Sequence, residues 1–196
     1  MKHPPTEVGG IPRTFRTVSA LVGLQLNARV LLLFFQQRER TVIPSGQTQI
    51  GKVLRWPLKA VPKAAVIPIM SGPARGLKWV VGASIHGCWL GTYEKTKQKR
   101  FAAELKPNDV VYDLGAQAGF YSLLASRLVG PQGAVYAFEP LPRNVRLLQQ
   151  HIDLNRATNI NVFELAVGGT DGTAQFADGP NPLQGSLSES VCELFA

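Results

Sequence analysis

The chain has 196 residues, of which 45% are hydrophobic, so it can form one domain with a core, or one domain preceded by an N-terminal extension. Its net charge of +8 is uneven: residues 1–106 carry 17 Lys and Arg against 4 Asp and Glu, whereas residues 107–196 carry 4 against 9. The basic half suggests an arm that meets an anionic surface or a nucleic acid, or that docks on the acidic half. We favour a solvated basic face, because the basic residues are scattered and lack interleaved aromatics.

The cysteines and histidines indicate no metal site. Cys88 and Cys192 are far apart and have no metal-ligand spacing, and His3, His86 and His151 do not cluster. We therefore predict two buried or free thiols, which fits a cytoplasmic location.

The N-terminal region combines an irregular start with an apolar stretch. Residues 1–17 are rich in Pro and Gly, and Val18 to Phe35 is apolar but interrupted by polar residues such as Arg29. A membrane-spanning helix needs about 20 nearly uninterrupted apolar residues. We therefore predict an amphipathic or buried helix over about residues 14–40. Core packing is favoured for it over peripheral membrane contact, and a membrane anchor is the third alternative.

Prolines recur between residues 43 and 75 and limit regular structure there. Short strands are predicted over Ala65–Met70 and Leu77–Val81, with a Gly- and Pro-containing turn between them. A helix is predicted over Tyr93–Leu105, with its lysines facing solvent, and it ends before Pro107.

A glycine-rich turn lies between a strand and a helix in the middle of the chain. Val110–Tyr112 is apolar and β-prone, Asp113 ends the predicted strand, and a helical pattern begins at Phe120. The segment between Gly115 and Gly119, called the glycine turn below, allows its backbone to approach a ligand closely. This order of elements places a nucleotide-like ligand at the carboxyl end of the strand.

The spacing of the glycine turn argues against a dinucleotide. Ala116 and Gln117 follow Gly115, so the second glycine of the Gly-x-Gly-x-x-Gly fingerprint is missing. Asp113 would also repel a pyrophosphate, but it suits a ligand with an ammonium group and ribose hydroxyls, such as S-adenosylmethionine. Taken alone, Asp113 can also be explained as a strand-end turn or helix-cap residue.

A second carboxylate supports the same ligand. Ala134–Phe138 is the next predicted strand, and Glu139 stands at its end, 20 residues after Gly119. A carboxylate there can accept two hydrogen bonds from ribose hydroxyls. Glu139 alone could be a solvated loop acid, but Asp113 and Glu139 on consecutive strands together favour cofactor binding.

Further elements follow these two strands. A helix is predicted from about Pro142, with Leu148 on its apolar face, and a third strand over Asn159–Val167. Thr173–Phe176 is predicted to pair back as a hairpin strand, and the tail from Asp178 is rich in Gly, Pro and Ser.

Several of these segments resemble the FkbM family of S-adenosylmethionine-dependent methyltransferases, over roughly residues 70 to 190. The family commonly has Asn where this chain has Gln117. The Ala-Phe-Glu-Pro motif and the Pro-Arg-Asn that follows it are fairly specific to the family. The segments that carry the resemblance are Gly91–Glu94, Val110–Ser122, Val129–Asn144, Leu154–Asn155 and Leu165–Gly168.

The resemblance implies a fold, a cofactor and a set of site residues. The expected fold is α/β, with a Rossmann-like class I methyltransferase sheet of which only the first strands are present. An N-terminal helical and irregular extension would occupy residues 1–75, and the N-terminal half of a methyltransferase domain residues 76–196. Glu94 would face the methionine ammonium, or else be a first-turn acid of its helix. The expected cofactor-binding residues are Asp113, Gly115, Ala116, Gly119, Glu139, Glu94 and Ala166.

By resemblance, the expected reaction is O-methyl transfer to a small-molecule or saccharide hydroxyl. The family's later Lys-x-Asp-x-Glu-Gly segment has no counterpart, so we expect a chain that is truncated at its C-terminus, of uncertain activity, and able to self-associate through an uncovered sheet edge. No catalytic residue is assigned. The alternatives are a non-catalytic remnant that acts as a binding protein and a nicotinamide-dependent oxidoreductase. Nucleic acid is not an expected partner, because the chain has no Asn-Pro-Pro-Tyr-like segment.

Overall fold

The computed structural model describes residues 13–19, 61–168, 172–178 and 185–187. Within these ranges the chain forms nine strands and four helices. In chain order they are β1 (Arg13–Ser19), β2 (Val66–Pro68), β3 (Lys78–Val80), α1 (His86–Leu90), α2 (Lys95–Glu104), β4 (Val110–Leu114), α3 (Phe120–Val129), β5 (Ala134–Phe138), α4 (Pro142–Asn155), β6 (Ile160–Phe163), β7 (Ala166–Gly168), β8 (Gly172–Asp178) and β9 (Gly185–Leu187).

A three-stranded parallel sheet in the order β4-β5-β6 forms the centre of the fold. Each crossover contains a helix, α3 between the first two strands and α4 between the last two, as parallel strands require. The predicted α/β class and the order of these elements are confirmed. In the described part of the chain, β4 and β6 are the edges of this sheet.

The two faces of this sheet differ because side chains alternate along a strand. Val111 and Val135 are fully buried on one face. On the other face lies a row of half-buried aromatic rings, with Tyr112 stacked on Tyr136 at 5.2 Å. Asp113 follows Val111 by two residues, so the pleat turns its carboxyl toward the buried face.

The strands β2 and β3 form an antiparallel hairpin, with Val66 opposite Val80. Both strands were predicted, together with the turn between them. The hairpin spans the proposed boundary between residues 75 and 76, and Ile69 and Ala74 on its first side belong to the same core as β4.

The helix predicted over residues 14–40 is wrong at its start, because Arg13–Ser19 is the strand β1. This strand lies between β7, to which it is parallel, and β8, to which it is antiparallel. The backbone hydrogen bonds of β1 with β7 and β8, and the preference of β-branched residues such as Val18 for strands, favour a strand here over the helix that the apolar pattern predicted. Residues 20–40 of the predicted helix, and residues 1–12, lie outside the described residues.

The third predicted strand, Asn159–Val167, is two strands in two different sheets. β6 pairs with β5, whereas β7 pairs with β1. The segment Thr173–Phe176 is indeed extended, but β8 pairs with β1 and β9 instead of folding back on β7. Sequence patterns identified the extended segments but not the pairing of β7 and β8 with β1, which is distant in the chain.

The three other predicted helices are confirmed, with small shifts of their ends. α2 begins at Lys95, α3 at Phe120 and α4 at Pro142. The five-residue helix α1 was not predicted, since it is too short for a periodic signal. Among the described residues, no helix has the length and apolar character needed to cross a bilayer.

The buried imidazole of His151 on α4 connects three parts of the fold. Its Nε2 accepts a hydrogen bond from Val80 N of β3 at 2.9 Å, and its Nδ1 lies 2.8 Å from the carbonyl oxygen of Ala118 in the glycine turn. The first bond requires an unprotonated Nε2, so the ring is neutral and donates through Nδ1. Burial lowers the pKa of His151 from 6.5 to about 4.

We expect acid to weaken the fold through His151. The unfolded chain binds more protons between pH 6.5 and 4, so the free energy of unfolding falls as the pH is lowered through this range. The wild type should therefore lose stability in acid, whereas His151→Gln should not lose this contribution. In urea unfolding, the difference in the free energy of unfolding between the two proteins, called the stability gap below, should become smaller by about 2 kcal/mol from pH 7 to pH 5.

The matched control is Asn155→Ala. Asn155 also joins α4 to β3, through two hydrogen bonds with the backbone of Lys78, but it does not titrate. Its stability gap should be the same at both pH values. A gap for His151→Gln that does not change with pH would contradict the assigned ring state.

The two predicted glycines of the turn have different surroundings. Gly119 has φ +89°, and a Cβ there would come within 2.3 Å of Cδ1 of the fully buried Leu148. Gly115 has φ +79°, but no atom lies within 4 Å of its Cβ position. Gly119 is therefore required for packing, whereas Gly115 leaves open space.

Gly119→Ala should destabilise the fold by roughly 2–4 kcal/mol, from a left-handed backbone and an overlap in the core. Gly115→Ala is the matched control and should cost only about 1 kcal/mol, from the backbone alone. Chemical denaturation measures both values. Equal losses in the free energy of unfolding for the two variants would show that Leu148 can move away from the added Cβ at no cost.

Candidate functional site

A cavity of about 220 Å³ lies at the carboxyl end of β4, where α1, the start of α2, the glycine turn and the start of α3 meet. Four of the predicted site residues line it. They are Glu94, Asp113, Gly115 and Ala116. The other lining residues are Trp79, Ser84, Cys88, Tyr93, Leu114, Gln117, Ala118, Phe120 and Tyr121.

Asp113 presents a buried carboxyl to this cavity. It is 4% exposed, and its Oδ2 accepts a hydrogen bond from the hydroxyl of Ser122 at 2.5 Å. Burial raises the pKa of Asp113 to about 6, the hydrogen bonds from Ser122 oppose this rise, and the nearby Glu139 adds to it. The carboxylate is therefore ionised at neutral pH, although its desolvation is not fully compensated.

Glu94 also faces the cavity and does not cap its helix. It occupies the N-cap position of α2 in a left-handed conformation, φ 44° and ψ 47°, and makes no side-chain cap bond. Its Oε2 accepts from the hydroxyl of Tyr121 at 3.1 Å, and its Oε1 lies 3.0 Å from Nζ of Lys97. A left-handed conformation is unfavourable for a residue with a Cβ, and such strain occurs most often at functional sites.

Two tyrosine hydroxyls complete the polar wall of the cavity. Burial, with a further contribution from the charge of Glu94, raises the pKa values of Tyr93 and Tyr121. Both phenols are therefore neutral at physiological pH, and each hydroxyl interacts with Glu94 while its oxygen can still accept a hydrogen bond.

Glu139 lies beside the glycine turn but does not line the cavity. It is 3% exposed and accepts hydrogen bonds from Gln117 N at 2.8 Å, Leu141 N at 3.0 Å and Asn144 Nδ2 at 3.1 Å. It therefore joins the turn after β4 to the start of α4. A carboxylate has about four acceptor positions, so these three bonds leave one available.

Two further predicted residues lie away from the cavity. Gly119 packs against Leu148, and Ala166 is a buried residue of β7 that lies opposite Thr17 of β1. In the described structure, neither residue is part of the cavity wall.

Sequence reasoning missed the part of the cavity that comes from β3 and α1. Trp79, Ser84 and Cys88 are far from the glycine turn in the chain, and none belongs to a motif. Burial, partly offset by a hydrogen bond from Ser84, raises the pKa of the Cys88 thiol to about 12, so it is protonated. The available signal was Trp79, an aromatic residue in a predicted strand that precedes the glycine turn by 36 residues.

The charge of the cavity determines the kind of ligand that fits. Two carboxylates, Asp113 and Glu94, face it, and none of the lining residues in the described part of the chain is Lys or Arg. A cationic group is therefore attracted and a pyrophosphate repelled. Within the described ranges, no group of three His, Cys, Asp or Glu residues is arranged to hold a metal ion.

Comparisons with known proteins agree with the sequence resemblance. Residues 113–194 match the family model described as the methyltransferase FkbM domain. A ribosomal protein L11 methyltransferase of Streptococcus pyogenes serotype M4 is 37% identical over 90 residues, which are 45% of this chain and 27% of the relative. The chain thus spans about a quarter of the length of the curated relatives it matches.

Two solved structures show weaker similarity. Aeropyrum pernix fibrillarin, in complex with S-adenosyl-L-methionine, is 30% identical over 31% of this chain and 26% of its own, with a TM-score of 0.29. P. horikoshii TYW2, in complex with MeSAdo, is 20% identical over 60% of this chain and 47% of its own, with a TM-score of 0.40. The similarity to the methyltransferase FkbM domain therefore rests on the sequence match over residues 113–194.

Proposed function

We propose that the chain binds S-adenosylmethionine in the cavity beside the glycine turn and directs methyl transfer to a hydroxyl oxygen of a small molecule or saccharide. The observation that carries the proposal is the pair of carboxylates, Asp113 and Glu94, in a cavity that also has an open backbone at Gly115. Oxygen as the acceptor atom rests on the family resemblance.

Each group of residues has a role in this proposal. Asp113 and Glu94 attract the ammonium group of the amino-acid part, because both are acidic and face the cavity. The backbone at Gly115 and Ala116 leaves room for the ligand, since a Cβ at Gly115 would meet nothing. In this proposal the ribose and adenine extend beyond the cavity, so that Glu139 accepts a hydrogen bond from a ribose hydroxyl with its remaining acceptor position and Ala166 is next to the adenine.

The protein supplies alignment and exclusion of water. When bound, S-adenosylmethionine supplies an activated methyl group on its sulfonium. The aromatic walls formed by Trp79, Tyr93 and Phe120 exclude water from the cavity, and the neutral hydroxyls of Tyr93 and Tyr121 orient polar groups next to it. Positioning of two reactants in this way is a major part of the rate that an enzyme provides.

The first test is calorimetric titration of the full chain with S-adenosylhomocysteine. We expect specific binding, and we expect Glu139→Gln to weaken it by roughly 1.5–3 kcal/mol, the scale of a hydrogen bond to a charged group. Asn144→Ala is the matched control, because it removes one partner of Glu139 but keeps the carboxylate. No binding to folded wild-type protein would refute the proposed function, and equal losses in the two variants would make Glu139 structural only.

The affinity for S-adenosylhomocysteine should fall in acid through Asp113. Its pKa of about 6 means that the carboxyl is mostly charged at pH 7.5 and about one-tenth charged at pH 5, while the ligand's ammonium is charged at both. We expect binding about tenfold weaker at pH 5. The variant Asp113→Asn should bind more weakly and with a much smaller dependence on pH, and an unchanged pH dependence in this variant would contradict the role of Asp113.

A further inference from the structure

Trp79 has a buried hydrogen-bond donor that the protein does not use. The side chain is 0% exposed and lines the cavity, and its Nε1–H has no partner in the described part of the chain. An indole nitrogen can only donate, and a buried donor without a partner destabilises the protein. Such a group in a cavity wall indicates a ligand that accepts a hydrogen bond.

The ring of Trp79 is held in place by its neighbours. It stacks on His151 with a centroid distance of 4.0 Å and an interplanar angle of 13°, and it meets the edge of Phe120 at 5.8 Å. His151 is itself held by its bonds to Val80 and Ala118. This packing opposes rotation of the indole toward a partner within the described part of the chain, which favours a bound molecule as the acceptor.

The other described tryptophan provides a contrast. Trp89 is also buried, at 4% exposure, but its Nε1 donates to Nδ1 of His86 at 3.1 Å and it does not line the cavity. Of the two indoles in the described ranges, the one at the cavity lacks a partner and the other has one.

The surroundings of Trp79 indicate the chemistry of the acceptor. Phe120, which touches the indole, is the first residue of the ten-residue helix α3, and the start of a helix favours a negative group. Asp113 and Glu94 in the same cavity favour a positive group. A ligand with both an ammonium and a carboxylate, as in an amino acid, satisfies both sets of residues.

We propose that the Trp79 N–H donates a hydrogen bond to the carboxylate of the amino-acid part of the bound cofactor. The proposal rests on the proposed function, since it assigns one more contact in the same cavity. Trp79 is then a binding residue that orients the cofactor by its carboxylate, while the acidic residues bind its ammonium.

The test compares two ligands on two proteins. S-adenosylhomocysteine has both the ammonium and the carboxylate, whereas its decarboxylated analogue keeps the ammonium and lacks the carboxylate. Trp79→Phe removes the N–H and retains an aromatic ring against His151. We expect Trp79→Phe to lower the affinity for S-adenosylhomocysteine by about 10- to 100-fold. The affinity for the analogue should fall by less than about threefold. Trp89→Phe, the matched control, should leave both affinities unchanged.

A second measurement does not depend on the folding of Trp79→Phe. The chain has three tryptophans, so three indole N–H signals are expected in a nitrogen–proton NMR spectrum of ¹⁵N-labelled protein. Trp56→Phe and Trp89→Phe identify the Trp79 signal by elimination. S-adenosylhomocysteine should move this signal strongly downfield, and the decarboxylated analogue should not.

The outcomes separate the two proposals. If wild-type protein binds neither ligand, the proposed function fails. If it binds S-adenosylhomocysteine but Trp79→Phe lowers the affinities for both ligands equally, or lowers neither, the proposed contact with the carboxylate is refuted. The proposed cofactor site is not affected by that result. The same conclusion follows if both ligands shift the Trp79 signal alike.

Discussion

The imidazole of His151 forms two hydrogen bonds that connect the parts of the candidate site. One comes from the backbone of β3 and the other goes to the carbonyl of Ala118 in the glycine turn, while the ring stacks on Trp79. The neutral ring acts as acceptor on one side and donor on the other, so both backbone groups are satisfied in a dry interior. In the part of the chain that the structure describes, this imidazole forms the polar connection between the hairpin that supplies Trp79 and the turn that supplies Gly115 and Ala116.

Three carboxylates around the glycine turn perform different tasks because their surroundings differ. Asp113 is buried next to a single serine and is ready for a cationic ligand. Glu139 accepts three protein hydrogen bonds and connects two loops. Glu94 is held toward the cavity by Tyr121 and Lys97 in a strained backbone conformation. Residue type alone does not distinguish these roles, and only the hydrogen-bond partners do.

The central sheet and its glycine turn were predictable, because their signals are local. Val110–Tyr112 and Ala134–Phe138 are short β-prone runs, and each is followed by a helix with a clear start. Asp113 and Glu139 lie at the same edge of the sheet because parallel strands end there, although the register pairs Asp113 with Ala137 and Glu139 lies two residues further along. The strand β1 was mistaken for a helix, because its apolar residues continue into a longer apolar stretch, and its partners β7 and β8 are about 150 residues away in the chain.

The α/β class, the position of the glycine turn and the acidic residues at the strand ends could be predicted from the amino-acid sequence alone. Each of these depends on periodicity, on glycine spacing or on residues close together in the chain. The tertiary structure decided that Gly119 packs against Leu148 while Gly115 faces open space, and that Glu139 supports the turn from outside the cavity. It also brought Trp79 and Cys88 into the cavity wall. These facts depend on which distant side chains meet when the core packs, and a linear pattern does not contain that information.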